Sequence, residues 1–147
     1  DLPAGRMFAR MLGGRIAKAE QFSDVDMVLP VPLHWTRRRS RGYNQAEVIA
    51  KVLARETGAA LETRLLRRCR RTQTQTRLNI EQKEKNVSGA FGVRARRLER
   101  LAKAGAAPRH ILRVDDVFTT GATIGDCYRA LRLVYGPAVR ISAATLA

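Results

Sequence analysis

Residues 111–123 read ILRVDDVFTTGAT, and the residue types follow one another in an informative order. The apolar residues Ile111, Leu112 and Val114 run into two adjacent acids, Asp115 and Asp116. Val117-Phe118 and then Thr119-Thr120-Gly121-Ala122-Thr123 come next, leading into a helical pattern that reaches Tyr135. A short apolar run, a turn and a periodic segment predict strand, loop and helix, the half-unit of an α/β fold. In an open α/β sheet, ligands sit beyond the carboxyl ends of the strands. A helix that opens there offers backbone N–H groups without intrahelical partners. With the helix dipole, these donors form a seat for phosphate. Gly121 lets the backbone approach a ligand closely, and Thr119, Thr120 and Thr123 add hydroxyl donors. Two neighbouring carboxylates can accept hydrogen bonds from vicinal sugar hydroxyls or help hold a divalent cation.

The spacing also excludes. There is no GxxxxGK[ST] and no GxGxxG, so neither a P-loop nor a dinucleotide fingerprint is present. Two acids closing a strand before an ordinary turn would account for a lone acid pair, but the full combination in one stretch favours a ligand site. Arg113 stands out among the apolar residues before the acids. A guanidinium inside a strand is costly unless paired, so this strand is expected near a sheet margin, or Arg113 is expected to reach solvent or an acidic partner.

Elsewhere, Met27–Val31 (MVLPV) reads as a short buried strand with a rigid exit. Asn44 can cap a following helix, with Glu47 completing a capping box. Val48, Ile49, Val52 and Leu53 form the apolar face of that helix, and Gly58 ends it. Met7, Phe8, Met11, Leu12 and Ile16 predict a helix over residues 3–20, weakened by Gly13-Gly14. Val87–Val93 reads as a strand, Arg94–Ala107 as a basic helix or loop, and His110–Asp115 as a strand. Thr123–Tyr135 reads as a helix stopped by Gly136-Pro137, and Val139–Leu146 as a last strand. Residues 64–86 are polar and Arg-rich without an apolar face, and long segments of that kind are usually lids or binding elements. The expected organisation is an N-terminal helix over 1–22 packing on a single domain over 23–147, with a mobile loop at about 67–86. Alternating strands and helices predict a mainly parallel sheet covered on both faces.

A chain of 147 residues, 45% hydrophobic, can build one core. With aromatics at 5%, that core must rest on aliphatic side chains. No apolar run approaches the roughly 20 residues of a membrane span, and no secretory signal pattern is present. Because the chain opens at Asp1 without a methionine, a preceding module stays open. Lys plus Arg number 28 against 13 Asp plus Glu, a net charge of +15. Such a balance suits phosphates, pyrophosphates and nucleic acids without choosing among them, and a solvated basic surface would give the same total. Cys69 and Cys127 are too few and too distant for a zinc site or a disulfide framework, and a reducing cytoplasm is the expected compartment.

Two further clusters bear on the site. After the first strand comes PVPLHWTRRRSRGYNQ, Pro30–Gln45, with Arg37, Arg38, Arg39 and Arg41 before Gly42. Arginine forks at a strand end suit a pyrophosphate, although a surface patch would share the composition. Trp35 and Tyr43 could stack on a base or simply shield the loop. The segment Arg68–Phe91 (RCRRTQTQTRLNIEQKEKNVSGAF) could close over a labile pyrophosphate, exclude water and bring positive charge to a leaving group. A disordered basic connection fits its composition equally well.

On these residues the chain resembles the type I phosphoribosyltransferases and, more narrowly, the ComF group (competence protein F). Its members show PVPLH…R…RGxNQ, then R…T..Q..L…N-V-x-G-A-F, then VDDVxTTGAT, in that order. Arg37, Arg41, Gly42, Asn44 and Gln45 match the first motif. Thr72, Gln75, Leu78, Asn86, Gly89, Ala90 and Phe91 match the second. Lys83 stands where arginine is usual, which keeps charge but loses the bidentate fork. The four-cysteine zinc module usually found ahead of this domain is absent from the sequence, and no zinc is expected in this chain.

The resemblance implies a three-layer α/β/α fold with a mobile basic loop, and a ligand that is phosphoribosyl pyrophosphate or a closely similar ribose-5-phosphate compound. Carried over, Asp115 and Asp116 would be the catalytic acids, holding ribose and, indirectly, Mg²⁺. Thr119, Thr120, Gly121, Ala122 and Thr123 would cradle the 5-phosphate, and Arg37, Arg39, Arg41 and Gly42 would grip pyrophosphate. Arg71, Thr72, Gln75 and Lys83 would belong to the mobile loop. Two functions follow. One is a Mg-dependent phosphoribosyltransferase working by positioning and charge stabilisation. The other is a non-enzymatic competence protein that binds single-stranded DNA and transformation partners. No membrane partner is expected, and a homo-oligomer stays open, as does the acceptor.

Overall fold

The computed structural model describes residues 20–32, 45–69, 91–115 and 121–145. Within them a 3-10 turn (Glu20–Phe22) precedes β1 (Met27–Pro30), α1 (Gln45–Thr57), β2 (Ala60–Leu61) and β3 (Leu66–Arg68). After these come β4 (Phe91–Val93), α2 (Ala95–Lys103), β5 (His110–Asp115), α3 (Gly121–Tyr135) and β6 (Arg140–Thr145). Four strands form a sheet in the order β2-β1-β5-β6, and every pair is parallel. β3 and β4 form a separate antiparallel ribbon.

Every residue of β1 and of β5 is buried, as strands covered on both faces must be. Side-chain alternation divides their residues between two cores. Val28, Leu112 and Val114 pack with Ile49, Ala50 and Leu53 of α1. Met27, Leu29 and Ile111 pack on the other face with Cys127, Ala130 and Leu131 of α3, Leu101 of α2, and Leu66 and Phe91 of the ribbon. The result is a three-layer α/β/α arrangement with a parallel central sheet, as the sequence predicts. Each fully buried aliphatic side chain contributes about 1.5–3 kcal/mol of transfer free energy.

Helix ends follow local chemistry. Gly58, just beyond α1, has φ +75° and Gly136, just beyond α3, has φ +71°, a left-handed conformation that favours glycine. At α3 the Gly136 N–H donates to the Arg132 carbonyl at 2.8 Å. The Arg132 guanidinium in turn donates to the Gly136 and Val139 carbonyls, tying the helix end to the approach of β6. At the amino edge of the sheet, the Asp26 carboxylate accepts the backbone N–H groups of Arg109 and His110. Buried His110 bridges Asp24 Oδ1 and Ser142 Oγ, each at 2.7 Å. His110 holds the Asp24 carboxyl below the usual carboxylate range, chiefly through that hydrogen bond.

Several sequence expectations need correcting. β5 is flanked by β1 and β6, and Arg113 is 4% exposed, so the strand is not marginal and Arg113 does not reach solvent. The segment read as a loop from about 67 begins instead as β3, with Leu65 and Leu66 in the core and ordered pairing through Arg68. The region 94–107 resolves into a helix over Ala95–Lys103, and β2 had no counterpart in the sequence reading. The expected helix over 3–20, the Asn44 cap and residues 87–90 of the expected strand lie outside the described residues.

Candidate functional site

β1 and β5 run parallel and in register, with Pro30 opposite Val114. The Val31 N–H extends the pairing to the Val114 carbonyl at 2.9 Å. The carboxyl ends of β1 and β5 therefore lie side by side at one edge of the sheet. That edge is the carboxyl end, where α/β sheets bind ligands. Helix α3 opens at Gly121 after a short connection, so its unpaired N-terminal N–H groups belong to this edge.

The ribbon that flanks the third cluster packs against α3. Phe91 pairs with Arg68, which fixes the two ends of the 70–90 segment next to each other. Phe91 packs in the core with Cys127 of α3, and the charge on Arg68 is felt at the Cys127 thiol. The charges of Arg68 and Asp115 both act on Cys127 of α3. The described elements that flank the three stretches singled out in the sequence, β1, the β3-β4 ribbon and β5 with α3, pack into one core although they are widely separated along the chain.

Cys127 has no exposed surface, and its thiol is pushed up to about 11, first of all by burial. The charge and hydrogen bond of Arg113 work against that shift, and the charge of Asp115 works with it. The Arg113 guanidinium also lies 5.8 Å from the centroid of the Tyr128 ring, within cation–π range. Arg113 thus meets a polar and an aromatic group of α3, a tertiary contact invisible in the local sequence. Asp115, on the same face as Arg113, has 0% exposure.

Of the residues predicted to form the site, Asp115 ends β5, and Gly121, Ala122 and Thr123 form the first turn of α3. Asp116, Thr119, Thr120, Arg37, Arg39, Arg41, Gly42, Arg71, Thr72, Gln75 and Lys83 lie outside the described residues. Among the described residues no group of three or more His, Cys, Asp or Glu could hold a metal ion. No described helix is long and apolar enough to cross a membrane.

One positioning residue escaped the sequence reading. Glu62, 2% exposed, accepts the backbone N–H groups of Arg64 and Leu65 at 2.8 Å each and a forked contact from Arg97, with Nη2 at 2.6 Å. Burial raises the affinity of this carboxyl for a proton, but the hydrogen bonds from Arg97, Arg64 and Leu65 outweigh it and hold Glu62 below its usual range. The carboxylate locks the end of β2 to the ribbon and to α2, and so fixes where the ribbon meets α3. Its only signal in the sequence is a lone acid ahead of an arginine-rich run.

A parallel α/β sheet with a strand–turn–helix at its carboxyl edge is the class of architecture found here. The chain is 29% identical over 130 residues to competence protein F of Haemophilus influenzae, covering 86% of this chain and 54% of that protein. It is 36% identical over 107 residues to the DNA utilization protein YhgH of Salmonella typhi, and 34% identical over 106 residues to its Escherichia coli K12 counterpart. Each of these alignments covers 72% of this chain and 43% of the relative. The chain belongs to the ComF family. It spans about half the length of these curated relatives. No family model and no solved structure matches it.

Proposed function

We propose that the turn between β5 and α3 binds phosphoribosyl pyrophosphate, or a closely similar ribose-5-phosphate compound, and that the protein transfers or recognises the phosphoribosyl group in the service of competence and DNA use. The observation that carries this reading is the placement of α3. Its N-terminus opens at the carboxyl edge of the sheet, directly after an acid-ended central strand and beside the exit of β1. Backbone donors from Thr119 to Thr123 would hold the 5-phosphate, and Arg37, Arg39 and Arg41 would pair with pyrophosphate oxygens as charge develops there.

The burial of Asp115 divides the work between the two acids. A carboxylate without exposed surface accepts no bond from a ligand while it stays buried, so in this reading Asp116 meets the ribose hydroxyls. Asp115 is then a positioning residue at the end of β5. Magnesium is typically held by one or two carboxylates together with substrate phosphates and water, and here Asp116 and the ligand's pyrophosphate are the fitting donors. Bound Mg²⁺ would supply neutralisation of the pyrophosphate charge. Cytoplasmic residence fits a sugar-phosphate ligand of this kind.

Calorimetry comparing phosphoribosyl pyrophosphate with ribose-5-phosphate, each with Mg²⁺, tests the binding reading, and pyrophosphate release on adding candidate nucleophiles tests transfer. Tight binding without release under any acceptor would leave a ligand-recognising protein. No binding of either compound would remove the proposal.

A further inference from the structure

Among the described residues, charge is unevenly distributed between α1 and the elements on the opposite face of the sheet. Helix α1, on one face, carries Glu47 and Glu56 against Lys51 and Arg55, and is neutral. On the other face, residues 62–68 and 94–103 together carry eight basic residues against two acidic ones. Arg97 is neutralised by Glu62 and Lys103 by Glu99. Among the described residues, Arg64, Arg67, Arg94, Arg96 and Arg100 are exposed and have no carboxylate in ion-pair contact.

These arginines form one surface. Arg96, Arg100 and Lys103 recur at i, i+4 and i+7 along α2, opposite the buried Leu101. The rise between successive members of that stripe is about 4.5–6 Å. The start of α2 is sewn to the ribbon: the Arg94 N–H donates to the Leu65 carbonyl at 2.8 Å, and its guanidinium donates to the Arg64 carbonyl at 2.7 Å. Arg67, opposite Gly92 in the ribbon, continues the patch. A diffuse basic composition would leave α1 as positive as α2, and it does not.

We propose that the outer face of α2, together with Arg64, Arg67 and Arg94 at the ribbon, binds the phosphate backbone of single-stranded DNA. The proposal rests on the DNA-directed part of the preceding reading and not on its sugar-phosphate site. Unneutralised guanidinium groups at this density suit a polyanion whose condensed counterions are released on contact. The surface is built from a helix and a two-stranded ribbon joined at Arg94. A flexible single strand can follow charges spread over two elements, whereas a duplex is stiff over about 50 nm. Among the described residues, the exposed large apolar side chains, Tyr128, Leu133 and Val134, all lie on α3. The α2 face therefore has no stacking platform and reads backbone without base preference.

The test uses the 147-residue chain and fluorescence anisotropy with labelled oligothymidylate and a mixed-sequence strand across roughly 50–200 mM salt. Arg96→Ala, Arg100→Ala and Lys103→Ala combined should weaken binding at least about tenfold and reduce the slope of log affinity against log salt by about 2, from about 0.7 per phosphate contact. Lys51→Ala with Arg55→Ala on α1 should leave both unchanged, and the two strands should bind alike. Wild-type affinity in the α2 variant, an equal loss in the α1 variant, or displacement by polyglutamate as readily as by DNA would overturn the proposal. Phosphoribosyl pyrophosphate calorimetry on the α2 variant separates the two sites. If it is unchanged while DNA binding falls, the surface stands apart from the sugar-phosphate site. If wild-type protein binds DNA through α2 but not the pyrophosphate, only the sugar-phosphate reading fails.

Discussion

Replacing Glu62 by Gln removes one charge from the place where β2, the ribbon and α2 meet. The wild-type carboxylate is 2% exposed and accepts five contacts, two from backbone N–H groups and three from the Arg97 guanidinium. An amide keeps one acceptor oxygen, so if it serves Arg64 and Leu65, its NH₂ faces the donors of Arg97. Breaking a buried pair costs about 3–5 kcal/mol. Arg97 is 30% exposed and regains water, which places the expected loss near the lower end, about 3 kcal/mol. That is a large fraction of the roughly 5–15 kcal/mol that stabilises a typical domain. Urea unfolding followed by circular dichroism at neutral pH should show the midpoint fall with little change in m. The difference between wild type and variant should shrink in acid. Because the folded-state pKa of Glu62 is lowered, its stabilisation is complete above the unfolded value and disappears as pH falls through the folded one. A loss below about 1 kcal/mol at neutral pH, or a difference that does not change on acidification, would refute the reasoning.

Other expectations follow from the same contacts. Leu131→Ala, at a residue with no exposed surface on the sheet side of α3, should cost about 2–5 kcal/mol in the same unfolding assay. Cys127, buried and held near a pKa of 11, should resist alkylation in the folded protein, while partly exposed Cys69 reacts first, as read by mass spectrometry. Asp24→Asn should flatten the stability profile in acid. The Asp24 carboxyl is held low by His110, so its contribution is present above the unfolded pKa and is lost as pH falls through the folded one. Arg132→Ala removes donors to the Gly136 and Val139 carbonyls and should lower stability by about 1–2 kcal/mol.

The parallel sheet was legible because Met27–Val31 and His110–Asp115 are short apolar runs bounded by turn signals. The α3 boundaries followed from a Thr/Gly turn at one end and Gly136-Pro137 at the other. β2 and β3 were not, because two or three residues carry too little periodicity to register. Nor was the setting of Arg113: its tolerance in a central strand depends on Tyr128 and Cys127, brought from the next helix by packing. Glu62 and Arg97 are 35 residues apart, and nothing local links them. At the site, the order of acids, threonines and glycine is what carries the proposed phosphate seat, because that chemistry is local to one turn. The burial of Asp115 is a tertiary property, and a strand-end acid reads the same whether covered or open.

The central claim is that this turn grasps a phosphorylated pentose. Its most direct test is titration calorimetry of phosphoribosyl pyrophosphate with Mg²⁺ into wild-type protein and into a variant carrying Asp115→Asn and Asp116→Asn, with circular dichroism showing that both are folded. The account predicts a saturable heat in the wild type and none in the variant. Equal binding by both proteins, or no binding by the folded wild type, would contradict it.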